Sequence, residues 1–136
     1  MIAFLDANAL IYLIEGAEPF AGRVRDQLRT ITHAGKSTQL AMSALSRLEC
    51  RLGPMKSGDT RMLAEYDAFF SRPGLTLVAL SNNVIDLATA IRSRHGIKTP
   101  DALQAASCLQ LGPHHLFITG DRGFSRIAGL RVEILD

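Results

Sequence analysis

The stretch Ile2-Ala3-Phe4-Leu5-Asp6-Ala7-Asn8-Ala9-Leu10-Ile11-Tyr12-Leu13-Ile14-Glu15 decides the fold. Ile2–Leu5 is a short apolar run that stops at an acid, as a buried strand does. Ala7–Glu15 is long enough and apolar enough to follow as a short helix packed on that strand. A carboxylate between two apolar segments is partly desolvated, and unpaired it would be costly. Asp6 therefore needs a cation, a hydrogen-bond network or a metal.

The same alternation continues outward. Pro19 stands where a first-turn proline is tolerated, and about 15 residues of helical pattern run to His33 with Gly35 just beyond. Leu40–Met42 reads as a second strand. Ser43 is expected to cap a helix that runs to about Leu52 and stops at Gly53-Pro54. Ser57-Gly58-Asp59 restarts a helix that ends before Pro73-Gly74. Leu75–Ala79 is a third strand, and Ser81 caps a helix whose apolar face is Val84, Leu87, Ala88 and Ile91. Gly96 closes it. Thr99-Pro100 opens the next helix, with threonine at the cap and proline first in the helix. Ala102–Leu111 is almost uncharged, which predicts a helix buried on most sides. Leu116–Thr119 is a strand, Phe124–Ile127 a short helix and Val132–Leu135 a last strand. Strands separated by helices imply crossovers and a parallel sheet covered on both faces. The expected fold is a three-layer α/β/α sandwich, one domain over 1–136, with a mostly parallel sheet of about five strands. Strand order does not follow from the sequence.

Composition agrees. The chain has 136 residues, 47% hydrophobic and 21% charged, with a formal charge of +2. A disordered chain needs lower hydrophobicity and higher net charge. With 2 cysteines it is no disulfide scaffold. The densest apolar run, Ala9–Ile14, is far short of the roughly 18 residues of a membrane span. Asp6 interrupts the opening apolar run and no basic region precedes it, so a secretion signal is not expected and a cytoplasmic location is.

Ligands of open α/β sheets bind beyond the carboxyl ends of the strands. Four acids stand at such positions. Asp6 follows the first strand, and Glu49 lies less than two turns into the helix after the second. Asp101 is in the first turn opened by Thr99-Pro100, and Asp121 follows Thr119 across one glycine. Singly each has a plain reading: Asp101 at a positive helix end, Asp121 as a turn residue, Glu49 as an ordinary helical glutamate between Arg47 and Arg51. Leu45 and Leu48 are expected to face the core and to bring Glu49 to a buried edge. If the four converge, they repel one another and require a compensating charge. An all-oxygen site suits Mg²⁺ or Mn²⁺, whose chemistry includes in-line phosphoryl displacement. There is no G-x-x-x-x-G-K-[ST] and no G-x-G-x-x-G, which argues against nucleoside triphosphate or dinucleotide enzymes.

These residues resemble a known family. Phe4-Leu5-Asp6-Ala7-Asn8-Ala9-Leu10 resembles the opening motif of PIN-domain ribonucleases. Ser43-Ala44-Leu45-Ser46-Arg47-Leu48-Glu49 resembles their second, Thr99-Pro100-Asp101-Ala102-Leu103-Gln104-Ala105-Ala106 their third, and Thr119-Gly120-Asp121-Arg122-Gly123-Phe124 their fourth. The motifs occur in the family's order over nearly the whole chain, and the size is most similar to VapC-type toxins of toxin–antitoxin pairs. The resemblance implies a Mg²⁺- or Mn²⁺-dependent endoribonuclease acting on structured RNA, transfer or ribosomal, with a cognate antitoxin and a homodimeric toxin. It implies Asp6, Glu49, Asp101 and Asp121 as the metal-binding acids, with Asn8 and Thr119 in support. Arg122–Arg126, where some members carry a further acid, has none.

Two other readings stand beside it. A haloacid-dehalogenase-like phosphatase shares the first-strand aspartate and the late Gly-Asp, but expects acids where this chain has Asn8 and Ser125. A silent RNA- or protein-binding module would be expected to have lost one of the acids. Among the bases, Arg92, Arg94 and Lys98 lead to Asp101, and Arg122 and Arg126 follow Asp121; some of them are expected to line an RNA groove through phosphate contacts, the alternative being a solvated helix face. His33 suits a helix C-terminus, and His95 ends a basic stretch. His114-His115 is expected in a loop before the strand. Cys50, Cys108, Met42, Met55 and Met62 are expected to pack. Setting the four site acids aside leaves 9 acids against 15 bases. The modest net charge then describes a basic protein whose negative charge is gathered in one place, as suits a metal-dependent nuclease.

Overall fold

Strand alternation builds the molecule in a computed structural model that describes residues 1–33 and 37–136. The elements are β1 (Ile2–Leu5), α1 (Ala7–Glu15), α2 (Phe20–His33), β2 (Gln39–Ser43), α3 (Leu45–Ser57), α4 (Thr60–Phe70), β3 (Leu75–Val78), α5 (Asn82–His95), α6 (Thr99–Leu109), β4 (His115–Thr119), a 3₁₀ turn (Arg122–Arg126) and β5 (Val132–Ile134). The expected stop at Gly35 lies outside the described residues. No helix among the described residues is long and apolar enough to cross a membrane.

All four strand pairings are parallel, in the order β3-β2-β1-β4-β5. Successive side chains of a strand point to opposite faces, and β1, β2, β3 and β4 each divide their apolar residues between two cores. Phe4, Ala41, Val78 and Phe117 face a core completed by α5 and α6. Ala3, Leu5, Met42 and Ile118 face the other, completed by α1, α2, α3 and α4. The three-layer reading holds. The order also accounts for which helices go where. Connections from β1 to β2 to β3 step one way along the sheet, and that from β3 to β4 steps back past β1. With right-handed crossovers, reversing the step moves the helices to the other face. The reversal makes β1 and β4, adjacent at the centre, the switch point beyond whose carboxyl ends ligands bind.

Several local expectations are corrected. Gly53-Pro54 does not end α3, which continues to Ser57 with Pro54 inside it. The proline falls in the last turn, where it removes one bond, to the Cys50 carbonyl. Arg51 Nε, 2.7 Å from Asp67 Oδ1, ties α3 to α4, and Cys50, Tyr66 and Phe70 share one core; that packing outweighs the local break signal. Ser43 ends β2, although its Oγ still accepts from Leu45 N–H. Leu48 is exposed and Leu45 only half-buried, so Ser46 and Cys50 are the residues that seat α3. Leu87 sits at the exposed edge of the α5 face built on Val84, Ala88 and Ile91. Lys98, not Thr99, precedes the first turn of α6. The last short helix begins at Arg122. His115 lies inside β4, fully buried, its Nδ1 on the Gly112 carbonyl and its Nε2 accepting from Arg131 N–H. Met42 and both cysteines are buried, and Met55 is exposed.

Candidate metal centre

Asp6 leaves β1 at the centre of the sheet and caps α1. Its Oδ1 accepts the Ala9 N–H at 2.8 Å, and its Oδ2 accepts the Thr119 hydroxyl at 2.5 Å. Thr119 ends β4, so the bond spans the switch point, and its Oγ in turn accepts the Asp121 N–H at 3.0 Å. One hydroxyl thus links the backbone of the fourth acid to the carboxylate of the first. Asp121 Oδ1 holds the Gly123 N–H at 2.8 Å, which fixes the 3₁₀ turn. A side chain at Gly123 would come within 3.1 Å of that oxygen. Its turn role and its place beside the site coexist.

The other two acids arrive from opposite layers. Glu49 is carried by α3, and its Oε1 accepts from Gln104 Nε2 at 2.9 Å. Asp101 stands in the first turn of α6. Because α6 runs back to begin β4, its N-terminus lies at the carboxyl edge of the sheet. Asp6, Asn8, Glu49, Asp101 and Gln104 line one cavity. Asp101 also borders a second, with Lys98, Asp121 and Arg126.

Electrostatics joins the cavities. Asp6 is 5% exposed. Burial pushes its carboxyl up to about 6, the bonds from Thr119 and Ala9 pull against this, and the charges of Asp101 and Glu49 push further up. Asp101 is raised by burial and by Asp121, and lowered by Lys98. Asp101 and Glu49 thus lie close enough to act on Asp6, and Asp121 and Lys98 close enough to act on Asp101. Among the described residues, no three carboxylate, imidazole or thiol groups are gathered so as to hold an ion as they stand. The donor set is nonetheless all oxygen, and a buried carboxylate beside two others with no ion pair of its own is what a hard divalent cation relieves. The residues fit Mg²⁺ or Mn²⁺ in kind.

The supporting and basic residues divide. Thr119 is buried on Asp6, and Asn8 is exposed at the cavity wall. Lys98 borders the acids. Arg92 does not line either acid cavity: its Nε donates to the Ile97 carbonyl and its Nη1 to Thr99 Oγ1. Arg94 is exposed. Arg122 pairs with the Asp136 carboxylate. Arg126 lines the second cavity beside Asp121. Gln104 was missed by reading the sequence for charge. The signal that finds it is a large amide amid the alanines of α6, three residues after Asp101.

A family model described as PIN domain matches residues 3–130. No curated protein sequence matches. Among solved structures, VapBC2 from Rickettsia felis bound to a DNA fragment from their promoter is similar at TM-score 0.78 and 21% identity, over 100% of both chains. A toxin–antitoxin complex from Klebsiella pneumoniae matches at 0.75 and 21%, over 98% of each chain. VapC20 from Mycobacterium tuberculosis, a Sarcin-Ricin loop cleaving toxin, matches at 0.68 and 14%, over 95% of this chain and 98% of that one. At these identities the structures show the shared fold.

Proposed function

The chain belongs to the PIN-domain family, and from that premise we propose that it is a Mg²⁺- or Mn²⁺-dependent endoribonuclease, the toxin of a toxin–antitoxin pair. The observation that carries the reading is the meeting of Asp6, Glu49 and Asp101 on one cavity at the switch point of the sheet, with Asp6 buried among like charges. A buried carboxylate beside like charges is a costly arrangement for stability alone, and PIN membership gives it a use.

Asp6, Glu49, Asp101 and Asp121 would hold the cation. When bound, it lowers the pKa of a coordinated water and neutralises charge gathering on phosphate oxygens. Thr119 keeps Asp6 turned toward the cavity through its hydroxyl. Asn8, exposed at the wall, offers an amide to water or phosphate. Lys98 and Arg126 supply positive charge for the backbone of the RNA beside the acids. In the reaction a water oxygen bonds to phosphorus and the bond from phosphorus to the 3′-oxygen breaks. The proton lost by water is balanced by one gained at that oxygen, leaving a 5′-phosphate and a 3′-hydroxyl.

The substrate proposed is structured RNA, transfer or ribosomal, in the cytoplasm. The partners proposed are an antitoxin protein and a second copy of the chain. Support comes from the family and from the fold shared with proteins of toxin–antitoxin complexes. Mapping the 5′ ends of RNA cut on induced expression identifies the bond. Wild-type protein with Mn²⁺ is expected to cut RNA, and Asp6→Asn to lose at least a hundredfold in rate. Equal rates would sink the assignment, and no Mn²⁺ binding at all would favour a silent binding module.

A further inference from the structure

We infer that Gln104 is a positioning residue: its amide, lodged between α3 and α6, holds the Glu49 carboxylate at the wall of the acid-lined cavity. What the cavity does is taken from the nuclease reading above; the role of the residue rests on the geometry of the chain.

Gln104 is 3% exposed, and its buried companions on α6 are alanines, a serine and a cysteine. Its Nε2 donates to Glu49 Oε1 and to Ser46 Oγ, each at 2.9 Å. Its Oε1 is buried with no hydrogen-bond partner among the described residues. Turning the amide over would give that carbonyl the Ser46 hydroxyl as a donor. It would also set the carbonyl against Glu49, acceptor against acceptor. The orientation is therefore dictated by the carboxylate. A hydrogen bond to a charged group is roughly twice as strong as a neutral one, enough to leave a carbonyl orphaned. A glutamine that served packing alone would have no reason to hold this arrangement.

The bond also crosses layers. Glu49 rides on α3, whose Cys50 packs in one core. Gln104 and Asp101 ride on α6, whose alanines pack in the other. Three residues apart on a helix, Asp101 and Gln104 share a face, and both line the cavity with Asp6 and Glu49. The amide thus sets the distance between an acid of one layer and an acid of the other. A second tie, Ser107 Oγ to Ser43 Oγ at 3.0 Å, fixes α6 to the end of β2 nearby.

The test uses Gln104→Met and Gln104→Leu, which keep the bulk and remove the amide, with Ser46→Ala as the control that keeps the bond to Glu49. Mn²⁺ affinity is measured by calorimetry, alongside thermal unfolding and RNA cleavage. Both Gln104 variants are expected to fold and to melt within a few degrees of wild type, since each removes an orphaned carbonyl while leaving Ser46 Oγ without its partner. Both are expected to bind Mn²⁺ about tenfold more weakly, a common cost of losing a residue that orients a ligand. The Mn²⁺ concentration for half-maximal cleavage should rise in step, with the KM for RNA at saturating Mn²⁺ unchanged. Ser46→Ala should stay within about twofold of wild type in Mn²⁺ affinity. A merely structural glutamine gives the reverse, a lower melting temperature with Mn²⁺ affinity intact, and that result, or failure of both variants to fold, overturns the inference. Equal losses in Ser46→Ala and Gln104→Met also overturn it. Wild-type protein that neither binds Mn²⁺ nor cuts RNA overturns the nuclease reading together with the inference. Wild-type binding matched by both variants overturns the inference alone.

Discussion

At the scale of the residue, Asp6 shows how function opposes stability. Its carboxyl is raised from 3.8 to about 6, chiefly by burial. The native state therefore binds the proton more tightly than the unfolded chain. This contribution to stability is fully present below pH 3.8 and is lost as pH rises through about 6. That difference corresponds to about 3 kcal/mol. Asn can keep the bond from Ala9 N–H without the charge. Asp6→Asn is accordingly expected to unfold at higher urea than wild type at pH 7.5, with the advantage shrinking toward pH 4. A constant difference across that range would show that burial of the charge is not the cause. The reading of Asp6 from sequence alone rested on the same physics, an ionised group placed between two apolar segments. Gln104 escaped that reading because an amide carries no charge to account for, and its importance lies in a bond 55 positions away along the chain.

At the scale of the element, the junction between α5 and α6 decides what the basic stretch does. Gly96 turns the chain in the left-handed region at φ 62°, where a residue with a β-carbon is strained. Arg92 reaches across the turn to the Ile97 carbonyl and the Thr99 hydroxyl, two residues before Asp101. As a clamp it should cost about 1 kcal/mol of stability when truncated. Arg92→Ala is expected to melt earlier yet leave the salt dependence of RNA binding unchanged. Lys98→Ala and Arg126→Ala, on the cavity beside Asp101 and Asp121, should each reduce the slope of log affinity against log salt by about 1. Filter binding over a salt series separates the two roles, and a reduced slope in Arg92→Ala would return that residue to the RNA groove. Charge along the sequence marks the stretch as basic but is silent on which guanidinium is already occupied. The same holds at Pro54: its break signal is local, and the contacts of α3 with α4 that override it are not.

For the whole molecule, the acids are assembled by topology. A parallel sheet that reverses direction at its centre brings β1 and β4 side by side, and their carboxyl ends carry Asp6, Thr119 and Asp121 to one place. α3 and α6 then bring Glu49 and Asp101 from opposite layers. On the reading proposed above, a cation bound there would tie both layers to the sheet and stabilise only the folded state. At a hundredfold excess over Kd this adds about 2.7 kcal/mol. Mn²⁺ should raise the melting temperature of wild type by about 10 °C, at a few degrees per kcal/mol for a chain of this size. Asp6→Asn should show little of this shift, and an equal shift in both proteins would place the ion elsewhere.

The sequence by itself determined the alternation of strand and helix, the burial of the sheet on both faces and the identity of the acids that follow the strands. Those are properties of short segments: runs of apolar residues, their period, and charges that interrupt them. Only the tertiary structure decided the strand order, the layer to which each helix belongs, the use of Arg92 as a clamp and of Gln104 as a tie. Each of these depends on which distant segments meet, and hydrophobic burial, being non-directional, does not specify that meeting from any one segment. It is settled by the handedness of the crossovers and by polar partners that find each other across 55 positions for Gln104 and Glu49, and 113 for Thr119 and Asp6.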